Sequence, residues 1–348
     1  MPLSPAELLE HHTTVAEAIL LGRVVPFLGA GVNLVDRRPD ERFQLGVNLP
    51  SGAELASLLA DAFRYPGVEA CPLAPQPTAI AVGDGGAAAA PAPAHCLRPH
   101  AQIDLARVAQ FGDSMRGDAA LYEAMSPVFH CSVPPTSAHQ FLACLPSPAR
   151  GAEEARHPLI VSTNYDDLLE RQYQNGAGAS DYDFVFYWPK PGEQSRFYHV
   201  APRAAPVAIT DAANYPHPFF ETCPTVLKIH GTIRPDAADD AFVITENDYV
   251  TYLADNTLES LLPRRLLKKL QTNHLLFMGY SLQDWNLRVF LQRLKRSQRS
   301  YRAWAIVRDD NPADRVFWER HGIQIIPVPL SDYLVGLNSV LQRIARGA

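Results

Sequence analysis

Six short apolar runs, separated by stretches with helical periodicity, constrain this chain more than any other feature. They are Val24–Leu28, Leu159–Ser162, Val226–Ile229, Leu275–Met278, Ala303–Val307 and Ile323–Val328. They are apolar nearly throughout and do not alternate with polar residues, so they read as strands covered on both faces. Between them lie the helical signals. Ser4-Pro5-Ala6-Glu7 and Ser51-Gly52-Ala53-Glu54 are capping boxes, the first with proline at the opening helical position. They open helices expected to run to about Leu21 and Phe63. Asp104 starts DLARVAQF, Ser137-Ala138-His139-Gln140 caps FLACL, and DDLLERQY follows the second run. Further helices are expected near 285–296, 313–320 and 333–345. Alternating strands and helices predict an α/β fold with a mostly parallel sheet and helices on both faces.

Two stretches break this rhythm. Residues 65–100 are rich in proline, alanine and glycine and carry no period, which predicts an irregular loop. Residues 175–222 hold many aromatics and prolines without a period and are expected to form a second irregular insertion. The 30 prolines agree with long loops. The net charge of −6 argues against nonspecific nucleic-acid binding. No apolar run approaches the length of a membrane span, so no membrane association is expected. The five cysteines are odd in number, widely spaced and without a CxxC pair, which supports neither a disulfide framework nor a four-cysteine zinc site. With no leader-like segment after Met1, a cytoplasmic protein is expected.

In an open parallel sheet, ligands collect at the carboxyl ends of the strands, beside the point where strand order reverses. Polar and glycine residues gather there in this sequence. The first run ends in Gly29-Ala30-Gly31-Val32-Asn33, the second in Thr163-Asn164-Tyr165-Asp166-Asp167, the third in His230-Gly231-Thr232 and the fourth in Gly279-Tyr280-Ser281-Leu282-Gln283-Asp284. The glycine turn would let backbone amides approach a phosphate. Asn164 can orient an amide, a hydroxyl or a water. His230 is a candidate base near neutral pH. His139 and His199 have no comparable setting. HExxH, Walker lysine and nucleophile-elbow motifs are absent, as is any carboxylate cluster at metal spacing.

Taken in order, Gly29-Ala30-Gly31, Ser162-Thr163-Asn164-Tyr165-Asp166, His230-Gly231 and Gly279-Tyr280-Ser281-Leu282 resemble sirtuin-type (SIR2-like) NAD-binding domains, and most closely those of bacterial antiphage-defence proteins. The stretches PTSAHQFLACL, ITENDYVTYL and SLQDWNLRVFL support the resemblance. It implies a Rossmann-like domain across 1–348 that takes NAD+ as substrate and needs no metal. The residue matching Asn164 would orient the nicotinamide ribose and a water, that matching Asp166 would contact the carboxamide, and that matching His230 would act as base. Gly29, Ala30, Gly31, Asn33 and Thr163 would line the dinucleotide, with Gly279, Ser281, Leu282 and Asp284 toward the adenosine. The implied reaction is cleavage of the nicotinamide–ribose bond to nicotinamide and ADP-ribose, by an effector held in check by oligomerisation or a separately encoded activator (an ATPase, an Argonaute-like protein or a sensor). The zinc module of deacylating sirtuins, with its two cysteine pairs, is missing, which weighs against deacylation or ADP-ribosyl transfer. A noncatalytic NAD- or ADP-ribose-binding module is the other alternative. Asn33 stands where deacylases commonly carry serine.

Overall fold

A computed structural model describes residues 3–66, 103–146, 157–176, 180–189, 195–234, 240–254, 258–280, 291, 294, 302–308 and 312–347. The expected loop at 65–100 and the expected helix at 285–296 lie almost entirely outside these residues.

The capping boxes form as the sequence requires. Ser4 Oγ accepts from the Glu7 amide while Glu7 reaches back to Ser4, opening helix α1 (Pro5–Leu20); Ser51 and Glu54 do the same for α2 (Gly52–Phe63). The helix after residue 135 begins differently from expectation. Thr136, not Ser137, is its N-cap, and His139 takes the reciprocal position usually held by glutamate, at the start of α5 (Ser137–Ala143).

The apolar runs become strands of one nine-stranded sheet in the order β11-β10-β9-β1-β2-β6-β3-β4-β5. These are β1 (Val24–Leu28), β2 (Leu159–Ser162), β3 (Asp183–Trp188), β4 (Arg196–Val200), β5 (Val207–Ala208), β6 (Thr225–Lys228), β9 (His274–Met278), β10 (Ala303–Val307) and β11 (Ile323–Pro327). All pairings from β11 through β3 are parallel, and β4 and β5 add antiparallel strands at one edge. The protein is thus α/β and Rossmann-like, with helices flanking the sheet. A small ribbon, β7 (Gly231–Thr232) with β8 (Ala241–Phe242), follows β6.

On one face, Val24, Leu28, Ile160, Val226, Leu276, Met278, Trp304 and Ile306 pack with residues of α1, α5, α6 (Leu168–Asn175) and the C-terminal helix Leu330–Gly347. Intervening residues such as Val25, Phe27, Val161, Leu227, Leu275 and Phe277 point the other way and are equally buried. Burial on both faces is why the runs do not alternate.

Residues 175–222 correct the sequence reading. They supply β3, β4 and β5 rather than an irregular insertion. DFVFYW is almost wholly apolar and aromatic, because β3 is sandwiched between β6 and β4, and its signal was obscured by the surrounding prolines.

The chain divides into two compact units, although the sequence suggested one domain over 1–348. The first comprises Met1–Asp36, Pro135–Val243 and Tyr249–Ala348 and contains the whole sheet. The second comprises Arg37–Pro134 and Ile244–Asp248. It is built on α2, α3 (Leu105–Arg116) and α4 (Asp118–Phe129). Within it, Glu54 both caps α2 and pairs with the partly buried Arg37.

Candidate functional site

The strand order places a reversal between β9 and β1: β2 through β6 all lie on one side of β1, and the chain then lays β9 on the other side. Register aligns the carboxyl ends. Leu28 pairs with both Ser162 and Met278, and Ser162 pairs with Lys228. Gly29 and Gly279 therefore each lie one residue past aligned strand positions, while Asn164 and His230 each lie two residues past. Neighbouring strands are about 4.8 Å apart, so the rim from β9 to β6 covers roughly 14 Å.

The glycines at this rim meet each other. A Cβ on Gly29 would come within 2.7 Å of the Gly279 carbonyl oxygen, and one on Gly31 within 2.7 Å of the Gly279 Cα. Gly279 has φ +70°, and a Cβ there would reach 2.3 Å from the Val32 nitrogen. The turn also spends amides internally: Gly29 donates to Met278 O, Gly31 to Gly279 O and Val32 to Gly29 O. The glycines thus let two strand ends close on one another, and among the described residues these bonds leave the Ala30 N–H of the turn's first amides uncommitted. That narrows the expected phosphate cradle to Ala30 and to close backbone approach.

The next strand end is fixed to the first. The Thr163 amide and Oγ1 both donate to Leu28 O, at 3.0 and 3.1 Å, and Thr163 Oγ1 lies 2.8 Å from the Tyr280 hydroxyl. Asn164 is buried, donates its backbone N–H to Ser162 Oγ at 3.0 Å and its side-chain N–H to Gly29 O at 3.2 Å. Asn33 Nδ2 donates to Asp166 Oδ2 at 2.8 Å, while Asn33 Oδ1 is buried with no partner among the described residues. The other Asp166 oxygen caps α6 through the Leu168 amide.

His230 follows β6 and is buried against Tyr249, with ring centroids 5.3 Å apart, edge to face. Among the described residues neither of its ring nitrogens is hydrogen-bonded. Burial lowers its pKa to about 3, so the imidazole is neutral at pH 7. Gly231 carries φ +85° and allows β7 to pass close to Ala241.

Gly29, Ala30, Gly31, Asn33, Thr163, Asn164, Asp166, His230 and Gly279 therefore gather along one rim. Ser281, Leu282 and Asp284 lie outside the described residues.

Beneath the rim is a polar layer that sequence reasoning missed. Lys228, fully buried, donates to the Asp166 carbonyl and faces Glu170 Oε1 at 3.1 Å. Burial raises the Glu170 pKa, with Lys228 opposing the shift. His139, dismissed in the sequence for lack of a setting, is buried beside this group. It accepts from the Thr136 amide at 3.1 Å, and Thr136 Oγ1 donates to Val32 O at 3.0 Å. Burial, against the pull of Asp166, takes its pKa to about 4. The available signal was a lysine inside an apolar strand, TVLKIH, where an unpartnered charge would be prohibitively costly.

Residues 158–326 match the family model of the SIR2-like domain. The matched segment begins at β2 and ends in β11, so it contains the Asn164, His230 and Gly279 strand ends. That segment, just under half of the chain, is similar to SIR2-like domains. The chain is similar to Defense-associated sirtuin 2 of Bacillus subtilis, 21% identical over 225 residues, which take in 63% of this chain. The chain spans 18% of the length of that relative. Among the described residues, no helix is long and apolar enough to cross a membrane.

Proposed function

We propose that the chain is an NAD+ glycohydrolase, cleaving the bond between ribose and nicotinamide to release nicotinamide and ADP-ribose. The observation carrying this reading is the placement of Asn164 and His230 at equivalent positions past adjacent parallel strands, beside the Gly29/Gly31/Gly279 contact. The donor set suits a dinucleotide. Among the described residues, Ala30 offers an amide, the buried Asn33 Oδ1 lacks a partner, and His230 presents an unbonded neutral ring.

Nicotinamide departs as a neutral molecule, so no strong acid is needed. The demand falls on holding the ribose as it gains oxocarbenium character and on placing a water. Asn164, held by Gly29 O, keeps one face of its amide for the ribose and the water. Asp166, fixed by Asn33 and the α6 amide, is available to the carboxamide side. The attacking water forms its bond to ribose C1′ as the C–N bond breaks, and its proton passes to His230.

The activity fits a defence effector that depletes NAD+ in the cytoplasm under control of a partner or of self-assembly, in keeping with the name of the Bacillus subtilis relative. Asn164→Ala and His230→Ala test the assignment together. Each is expected to stop nicotinamide release while NAD+ remains bound, as followed by calorimetry. Full activity in both variants would show the site to be wrong. Turnover that appears only with an acylated peptide, giving O-acyl-ADP-ribose, would favour the deacylase alternative, and bound NAD+ that is never cleaved would favour a binding module.

A further inference from the structure

A second cluster of ligand-type side chains lies on the opposite rim of the sheet. Asp183 begins β3 and pairs in register with Thr225 at the start of β6, so it sits at the amino ends of the parallel strands, away from Asn164 and His230. His199 of β4 pairs with Val185. Asp183 and His199 are therefore diagonal neighbours on one face of the antiparallel pair, within reach of one another. His217 comes from the segment after β5. Asp183 Oδ1 lies 3.1 Å from His199 Nε2, and Asp183 Oδ2 lies 2.9 Å from His217 Nε2. One ligand atom from each residue falls within 4.8 Å of the others.

The surroundings resemble a ligand shell. Asp183 is 1% and His199 4% exposed, whereas His217 is partly open to solvent. His199 Nδ1 lies 2.9 Å from the Tyr215 hydroxyl. With its proton on Nδ1, His199 donates to Tyr215 and turns the Nε2 lone pair toward a carboxylate oxygen. In that tautomer a cation is accommodated between Nε2 and the carboxylate, whereas in the other Nε2–H donates to Asp183 directly. Metal-bound histidines are usually held by an outer hydrogen bond like that to Tyr215. Phe219 packs edge-on against both imidazoles, at 5.0 and 4.6 Å, and limits water access. Tetrahedral ligands about 2.05 Å from a zinc ion stand roughly 3.3 Å apart, close to the two Asp183–imidazole separations, and the three ligand atoms draw together on the ion from within 4.8 Å of one another.

We propose that Asp183, His199 and His217 bind a divalent transition metal ion of the zinc class, which ties the segment around residue 217 to the β3–β4 hairpin. The half-open side next to His217 admits a water as fourth ligand. The ion serves the fold rather than the chemistry of NAD+, since it lies at the opposite strand ends from Asn164 and His230. This departs from the metal-free protein expected from the sequence, where His199 showed no setting because its partners are 16 and 18 positions away.

The full chain, stripped with chelator, exposed to zinc chloride and dialysed, is expected to hold about one zinc per chain by elemental analysis and to unfold at a higher temperature than the stripped form. His217→Gln removes a partly exposed ligand and is expected to fold yet lose most of the zinc. Tyr215→Phe keeps all three ligands and is expected to weaken zinc affinity by roughly 10-fold or more, as loss of an outer-shell partner does. A chain that holds less than about a tenth of an equivalent, with the same unfolding temperature in zinc and in chelator, would overturn the proposal. So would a full equivalent retained by His199→Gln/His217→Gln, which would place the metal elsewhere.

Discussion

Replacing Lys228 with methionine tests the polar layer under the candidate site. The substitution keeps the volume and removes one buried charge, leaving Glu170 without its partner 3.1 Å away. At pH 7 the stranded carboxyl must then take up a proton. For a group whose unfolded pKa is about 4.3, that costs roughly 3.7 kcal/mol. Loss of the bond to the Asp166 carbonyl adds about 1 kcal/mol. The total, about 5 kcal/mol, is at the upper end of values for breaking a buried pair, and corresponds to a fall in Tm of roughly 10–20 °C for a domain of this size. In this variant the folded-state pKa of Glu170 exceeds the unfolded one, so the deficit grows as pH rises from about 4.3. At pH 5 the protonation cost falls to about 1 kcal/mol, and the variant should recover most of the lost stability relative to wild type. Glu170→Leu combined with Lys228→Met should likewise recover most of it at pH 7. Urea unfolding of the two variants at pH 5 and pH 7 measures this directly. A loss under about 1 kcal/mol at pH 7, or a double variant no better than the single, would refute a buried ion pair here.

Further outcomes follow from the same geometry. Gly279→Ala places a Cβ 2.3 Å from the Val32 nitrogen at φ +70° and should cost at least about 1–3 kcal/mol; an unchanged urea midpoint would contradict the glycine contact. His230, His139 and the buried His11, with pKa values near 3, 4 and 4, are neutral in the fold. Because each is depressed below its unfolded value of about 6.5, stability should fall as pH drops below 6.5, by up to about 2 kcal/mol per group at pH 5. A flat urea midpoint between pH 7 and pH 5 would argue against their burial. The same value for His230 predicts that its titration imposes no acid limb on NAD+ turnover between pH 5 and 8, which a pH–rate profile can check. Asn33→Ala removes a bond to the buried Asp166 and is expected to slow turnover and to cost about 1–3 kcal/mol of stability, read as a kcat loss beside a lowered urea midpoint; an unchanged kcat would argue against its place in the site.

The parallel strands could be read from the sequence because burial on both faces leaves unbroken apolar runs, as in LIVS and LLFM. The two capping boxes were legible because their chemistry is local. β3 was not, since its apolar character lies between loops whose composition hides it. The rim residues were legible because strand ends and glycine turns adjoin in sequence. The layer beneath was not: His139, Lys228 and Glu170 meet only once α5, β6 and α6 are packed, and nothing in the spacing from 139 to 228 announces it. The Asp183 cluster escaped for the same reason. The glycine turn shows a subtler limit. GAG was correctly placed at a strand end, but whether its amides face a ligand or the adjoining strand depends on Gly279, some 250 residues away.

The central claim is tested most directly by chromatography of NAD+ incubated with the purified chain, wild type beside Asn164→Ala. The account predicts nicotinamide and ADP-ribose in equal amounts from the wild type alone. NAD+ recovered intact and without saturable binding to the wild type, or equal release by the two proteins, would contradict it.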